Sequence, residues 1–295
     1  MSAELLLREF DKVAAEPLAI PRLRIFVLNL AMRGKLVSQQ PADEPASALL
    51  AKIGRTRRDR LRDGLIRASR ANYGDIAAGD DFQLPLGWAR TNINESCDLQ
   101  TGATPDRTRA AYFGGDIPWL VSGDINQEQI FECEGRITDL GLASSNCKIL
   151  PPNSVLIALN GQGKTRATVA LLRIPAACNQ SLVAIIPLRS DCLLPEYLFW
   201  NLRSRYLALR HLTGHEDRRG LNMRIISCLT ISVPPVAEQY RLVAKVGDLM
   251  ALCDQLEAAL TSAAAERGRL VEALLHKALP GAAVLLPVEA SAGLA

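Results

Sequence analysis

Histidine is scarce in this chain of 295 residues, which has three: His211, His215 and His276. A zinc site needs clustered imidazoles or thiolates, and no H-E-x-x-H pair occurs. The seven cysteines, at 97, 133, 147, 178, 192, 228 and 253, are odd in number and never spaced C-x-x-C. That pattern argues against a zinc knuckle and suits reduced thiols packed as small hydrophobes. No metal or other cofactor is expected. Nowhere do about 18 apolar residues follow one another, so no membrane span is predicted. After Met1-Ser2-Ala3-Glu4 only Leu5-Leu6-Leu7 is apolar before charge returns, which is not a secretory leader; the chain reads as cytoplasmic. Catalytic signatures are missing as well. None of the seven lysines has Asp or Glu two positions before it, so the D/E-x-K core of many nucleases is absent. There is no Asn-Pro-Pro-Tyr or Asp-Pro-Pro-Tyr run, with which adenine methyltransferases grip a base, and no G-x-S-x-G elbow. The chain is expected not to be an enzyme.

What is present is a globular composition, 48% hydrophobic and 22% charged. The net charge of +3 is too small to imply a polyanionic partner. Any such partner must be held by local patches.

Three regions follow one another. Residues 1–80 read as a helical segment. Within it, residues 21–32 are apolar on most of their surface, with Pro21 suited to a first turn and Gly34 to a helix end, and such a helix is expected to be buried. Residues 46–70 form a second predicted helix, whose arginines 55, 57, 58, 60 and 62 face either solvent or phosphate. Residues 74–81 read as a linker. Residues 82–234 form a mixed α/β domain. Strands are predicted at 154–159, 168–174, 182–187 and 229–233 and a helix at 195–212, with loops and some short strands across 101–146. The third region, 236–279, is a long helix. Leu242, Val246, Leu249, Cys253, Leu256, Leu260, Ala263, Arg267, Leu270 and Leu274 are spaced 4, 3, 4, 3 throughout. A strict 3.5-residue repeat is the mark of a left-handed coiled coil. Its predicted interface is Leu242, Val246, Leu249, Cys253, Leu256, Leu260, Leu270 and Leu274, and Arg267 interrupts the apolar seam. Residues 280–295 read as a disordered tail. The fold class is therefore α+β, with a helical N-terminal segment, a mixed α/β domain and a coiled-coil helix.

The motif closest to chemistry is Ala158-Leu-Asn-Gly-Gln-Gly-Lys164-Thr165. It fits a loose phosphate loop, but such a loop must open a helix whose first amides hold the phosphates. The residues that follow look like a strand. The better reading is a glycine-rich turn between strands that presents Asn160, Gln162, Lys164 and Arg166. Asn and Gln can bond adenine edges, Arg guanine, and Lys a phosphate. A second polar turn presents Arg218, Arg219 and Arg224, and Arg107 and Arg109 complete the candidate DNA-binding set.

Three stretches resemble the specificity subunits of type I restriction–modification systems. The first is Phe10-Asp-Lys, Ile20-Pro-Arg-Leu-Arg-Ile and Leu30-Ala-Met-Arg-Gly-Lys-Leu-Val37. The second is Leu84-Pro-Leu-Gly-Trp88, Thr101-Gly-Ala-Thr-Pro105, Ile117-Pro-Trp-Leu120, Asn179-Gln-Ser181 and Glu196-Tyr-Leu198. The third, and the most specific, is Ile231-Ser-Val-Pro-Pro-Val-Ala-Glu-Gln239 leading into the heptad helix. The resemblance implies a target-recognition domain that reads half of a split sequence in double-stranded DNA. It also implies a spacer helix, and docking of DNA adenine methyltransferase subunits and through them a restriction/translocase subunit. The family typically carries two recognition domains and two spacers, and this chain has one of each. It resembles a half-length subunit, for which a homodimer through the C-terminal helix is expected, with the two helices antiparallel. Two rivals stand beside this reading: a P-loop-like nucleotide hydrolase using Lys164 and Thr165, and a scaffold that uses only its coiled coil.

Overall fold

The computed structural model describes residues 18–67, 76–78, 82–161, 163–212 and 221–278. In chain order the helices and strands are α1 (Ala19–Met32), α2 (Ala46–Arg62), β1 (Ala89–Asn92), α3 (Ile93–Ser96) and β2 (Cys97–Thr101). Next come β3 (Phe113–Leu120), β4 (Gln129–Ile130), β5 (Arg136–Ile137), α4 (Asp139–Ala143), β6 (Val155–Ala158) and β7 (Val169–Leu172). The chain continues with β8 (Ala177–Cys178), β9 (Leu182–Pro187), α5 (Pro195–Ser204), α6 (Tyr206–His211), α7 (Met223–Ser227), β10 (Thr230–Val233) and α8 (Val236–Ala278). The described residues fall into two compact units, one of residues 28–245 and one in which 18–27 accompany 246–278. None of the described helices is long and apolar enough to cross a membrane.

The larger unit is built on a five-stranded sheet ordered β2-β9-β6-β7-β4, antiparallel except for the β7–β4 pair. Leu156 and Ala158, Ala170 and Leu172, and Leu182 and Ala184 are alternate residues of neighbouring strands. They share one face and join Leu120, Ile125, Ile130 and Leu150 in the main core. Every residue of β6 and β7 is buried, because α5 packs on these strands from the other side. Covering on both faces explains why they read as unbroken apolar runs rather than as alternating ones. A three-stranded sheet β5-β3-β8 and an antiparallel β1-β10 pair complete the unit.

Several expected boundaries shift for identifiable reasons. The second helix was predicted to residue 70 and stops at Arg62, where Gly64 takes φ +70° and the Leu65 amide donates to Arg60 O at 2.9 Å. Positive φ at glycine is the usual way to end a helix. The predicted helix 195–212 is broken at Arg205, whose φ/ψ of −98°/9° leave the helical ladder. Its buried guanidinium donates to the carbonyls of Thr230 and Ala77. In the predicted linker 74–81, Ile76 bridges Leu229 in parallel, exchanging bonds with Cys228 O and the Thr230 amide at 2.9 Å each. The turn-rich stretch 101–146 contains the eight-residue strand β3. The helix at 21–32 was expected to be buried against a neighbour; Val27, Leu28, Ala31 and Met32 are buried, as is Ile20 just before it, but Ile25 and Phe26 are 45% and 58% exposed.

The smaller unit pairs the first half of α1 with α8. Arg24 reaches Asp254 at 2.5 Å and Glu257 at 2.8 Å. α8 has 43 residues, about 64 Å at 1.5 Å per residue. Burial fades along its predicted seam. Val246 and Cys253 are buried, Leu249, Leu256 and Leu260 are half-buried, and Leu270 and Leu274 are exposed. Leu242, in the larger unit, is buried, and so is Met250, which lies outside the heptad register. The segment 280–295 lies outside the described residues.

Candidate nucleic-acid interface

Strand register gathers the candidate loops at one end of the central sheet. Ala158 pairs with Leu182, and Val183 with Thr101. The chain therefore leaves β2 and β6, and enters β9, on the same side. Three connections emerge there: residues 102–112 after β2, 159–168 between β6 and β7, and 179–181 before β9. The first carries Arg107 and Arg109, the second Asn160, Lys164 and Arg166. Arg107, Arg109, Asn160 and Lys164 are exposed, and Arg166 is half-buried.

The 159–168 turn is held by its main chain. Gly161 and Gly163 have φ of +147° and +59°, and a Cβ on Gly161 would lie 2.7 Å from Cβ of Thr165. The Ala167 amide donates to Ala158 O at 2.9 Å and the Thr168 hydroxyl to Lys164 O at 2.8 Å. From α6, the Tyr206 hydroxyl donates to Lys164 O at 2.7 Å and Arg210 to Arg166 O at 3.2 Å. Arg210 also stacks 5.3 Å from the Tyr206 ring centre. The turn leads into strand β7, so the helix start that a nucleotide phosphate loop requires is not there.

In the neighbouring connection, Asp106 accepts from the Thr108 amide at 3.0 Å and its hydroxyl at 2.8 Å. These bonds, the backbone one first, hold its carboxyl below the usual range. Arg109 donates to the Tyr112 hydroxyl at 3.1 Å. The Thr104 hydroxyl bonds Gln180 Oε1 at 2.6 Å, and Asn179 Oδ1 accepts from the Ser181 amide at 3.0 Å. Sequence reasoning did not place Thr104 and Gln180 in the site. Their signal was the pair of short motifs 101–105 and 179–181, whose contact only the fold reveals. Behind them the Ala103 amide donates to Cys178 O at 3.0 Å. Burial pushes the Cys178 thiol up to about 12, so it stays neutral and unreactive at physiological pH. All seven cysteines are free and buried.

Arg224 is placed elsewhere. It lies on α7, which packs against α3 and β2, and α3 leads into the Cys97 end of β2, opposite the loops. There Arg224 lines a groove of about 1070 Å³ with Arg57, Arg67 and Lys148. Gln162, Arg218 and Arg219 lie outside the described residues. Among the described residues no group of His, Cys, Asp or Glu is arranged to hold a metal ion.

Residues 85–265 match a family profile described as the type I restriction modification DNA specificity domain. The type I restriction enzyme EcoEI specificity subunit of Escherichia coli is 29% identical over 276 residues, covering 87% of this chain and 43% of that protein. The EcoAI specificity subunit, also of Escherichia coli, is 27% identical, covering 87% and 44%. This chain thus spans about half the length of these curated relatives. A solved structure described for complex assembly and conformational transition of the type I R-M system shares the fold. Its TM-score is 0.54 at 21% identity, over 79% of this chain and 56% of that one.

Proposed function

This chain belongs to the family of type I restriction–modification DNA specificity domains, and on that premise we propose that it is a half-length, non-catalytic specificity subunit. It reads one half of a bipartite target in double-stranded DNA. In this reading residues 82–234 are the target-recognition domain, residues 1–80 its helical flank, and 236–279 the spacer. Loops at one end of the central sheet supply the base-facing side chains, from Asn160, Lys164 and Arg166 with Arg107 and Arg109 beside them; Gln162, Arg218 and Arg219, outside the described residues, and Arg224, at the other end of β2, are further candidate DNA contacts. DNA adenine methyltransferase subunits dock on it in the cytoplasm, and a restriction/translocase subunit joins through them. The second half-site is read by a second copy held through α8. The observation that carries the proposal is the family match, which spans residues 85–265, nearly all of the proposed recognition domain, and runs into the long helix. The exposed seam at Leu270 and Leu274 supports self-association, since soluble proteins rarely leave such apolar stripes uncovered.

The decisive experiment maps methylated adenines after expression with the methyltransferase subunits, with and without this chain. The expected result is methylation that depends on the chain, at a split palindrome with a fixed central gap. Methylation unaffected by its removal would sink the proposal. An asymmetric target would assign the second half-site to a different chain.

The loop makes its own prediction. Lys164→Ala and Arg166→Ala are each expected to weaken DNA binding without lowering the melting temperature. Each lost phosphate contact should make the salt dependence shallower by about one unit. Unchanged affinity and slope in both variants would remove the 159–168 turn from the interface.

A further inference from the structure

We propose that the groove along the outer edge of β2 holds a phosphodiester backbone, a sequence-blind DNA contact distinct from the loops at the sheet end. The proposal rests on the DNA-reading function above and adds a site to it.

Among the described residues β2 is an edge strand of the central sheet, paired with β9 alone. Residues 97–101 line the groove along the strand's whole length. Three segments far apart in sequence close around it. They are the end of α2 with residues 64–67, the turn 145–148, and α7. Each brings cations: Arg57 and Arg67, then Lys148, then Arg224. Against these four, among the described residues, stands one lining carboxylate, Asp98, whose Oδ2 accepts from Nε2 of the Gln100 side chain at 2.8 Å. Arg57, Arg67 and Lys148 make no ion pair among the described residues. The Nε of Arg57 donates to Asn94 O at 3.0 Å, which fixes the guanidinium and leaves its terminal nitrogens for a ligand. Arg67 and Lys148 are exposed.

An uncovered edge strand also suits an added peptide strand. The charge decides between the two occupants. A peptide pairing with β2 needs main-chain complementarity and no surrounding cations, whereas Arg57, Arg67 and Lys148, without an ion pair among the described residues, match a chain of regularly spaced phosphates. The acidic peptide is the competing outcome. Lysine and arginine at such a site position DNA and carry little sequence information, so the groove sets register while the loops read bases. It also gives a role to one arginine of α2: Arg57 lines the groove, whereas Arg55, Arg58, Arg60 and Arg62 do not.

The test compares the full chain with an Arg67→Ala, Lys148→Ala double variant on a mixed-sequence duplex over a salt series. Both side chains are exposed, so an unchanged melting curve is expected to certify the fold. The salt dependence should become shallower by about two units, and affinity should fall at low salt. The preference for the mapped target over mixed sequence should stay as in the parent. If the parent binds and the variant matches it in affinity and slope, the groove is not a phosphate site, while the DNA-reading function stands. If the parent does not bind mixed-sequence duplex at all, the underlying reading fails and the groove proposal with it. A variant that binds DNA normally but no longer captures the methyltransferase subunits would assign the groove to an acidic protein segment and overturn the proposal.

Discussion

Gly102→Ala is expected to cost more than about 3 kcal/mol of folding stability, the range that only severe overpacking reaches. A Cβ at this position would stand 1.7 Å from the carbonyl oxygen of Cys178, 2.3 Å from its carbonyl carbon and 2.7 Å from its sulfur. Two of the three obstacles are backbone, so no side-chain rotation relieves them. Moving the chain away breaks the bond from the Ala103 amide to Cys178 O. It also disturbs Ala103 O, which accepts from the Trp119 indole at 3.1 Å and the Cys147 thiol at 2.9 Å. Gly123→Ala is the control, because nothing lies within 4 Å of its added Cβ and its φ of −69° suits alanine. It should be neutral or slightly stabilising. Urea melts of both variants decide the matter. A Gly102→Ala protein within about 1 kcal/mol of the parent would mean that β2 and β8 separate freely, against the packing described.

Gln239→Leu is expected to lose about 3 kcal/mol or more. The side chain is fully buried and uses both ends of its amide. Its Oε1 accepts from the Leu194 amide at 2.8 Å, and its Nε2 donates to Cys192 O and Pro234 O at 3.0 Å each. Leucine fills the volume but leaves one N–H and two carbonyls of the main chain without this partner. Each orphaned buried group costs about 1–3 kcal/mol. One side chain thereby ties the start of α5, the end of β10 and the first turn of α8 together. A loss below about 1 kcal/mol in a denaturant melt would show that water replaces the amide at this junction.

Much of the architecture was legible because it is local or periodic. The heptad spacing from Leu242 marked α8, and the unbroken apolar runs marked β6, β7 and β9. The glycine-rich turn was read as a connection between strands because Thr168, Val169 and Ile174 disfavour the helix a phosphate loop needs. What escaped was non-local. Nothing near Arg205 in sequence signals that its guanidinium will be drawn to Thr230 O and break the helix. Nothing near Ile76 signals a bridge to Leu229. The same holds for the candidate interface. Residues 57, 67, 148 and 224 share no motif and meet only in the folded groove, and Thr104 finds Gln180 across 76 positions. Grading along α8 was invisible for a related reason, since a heptad pattern states which face is apolar and not how far along it a neighbour reaches.

The way the 159–168 turn is fastened bears on how such a reader changes its specificity. The bonds that reach it from α6 end on carbonyls, of Lys164 and of Arg166, and among the described residues none engages the side chains of Asn160, Lys164 or Arg166. Its glycines set the path, and Tyr206 and Arg210 brace that path from behind. The side chains at 160, 164 and 166 are therefore exchangeable type on a fixed carriage. If the turn reads DNA as proposed, new residues there would alter what is recognised without asking the domain to refold, and specificity would drift by single substitutions at little structural cost.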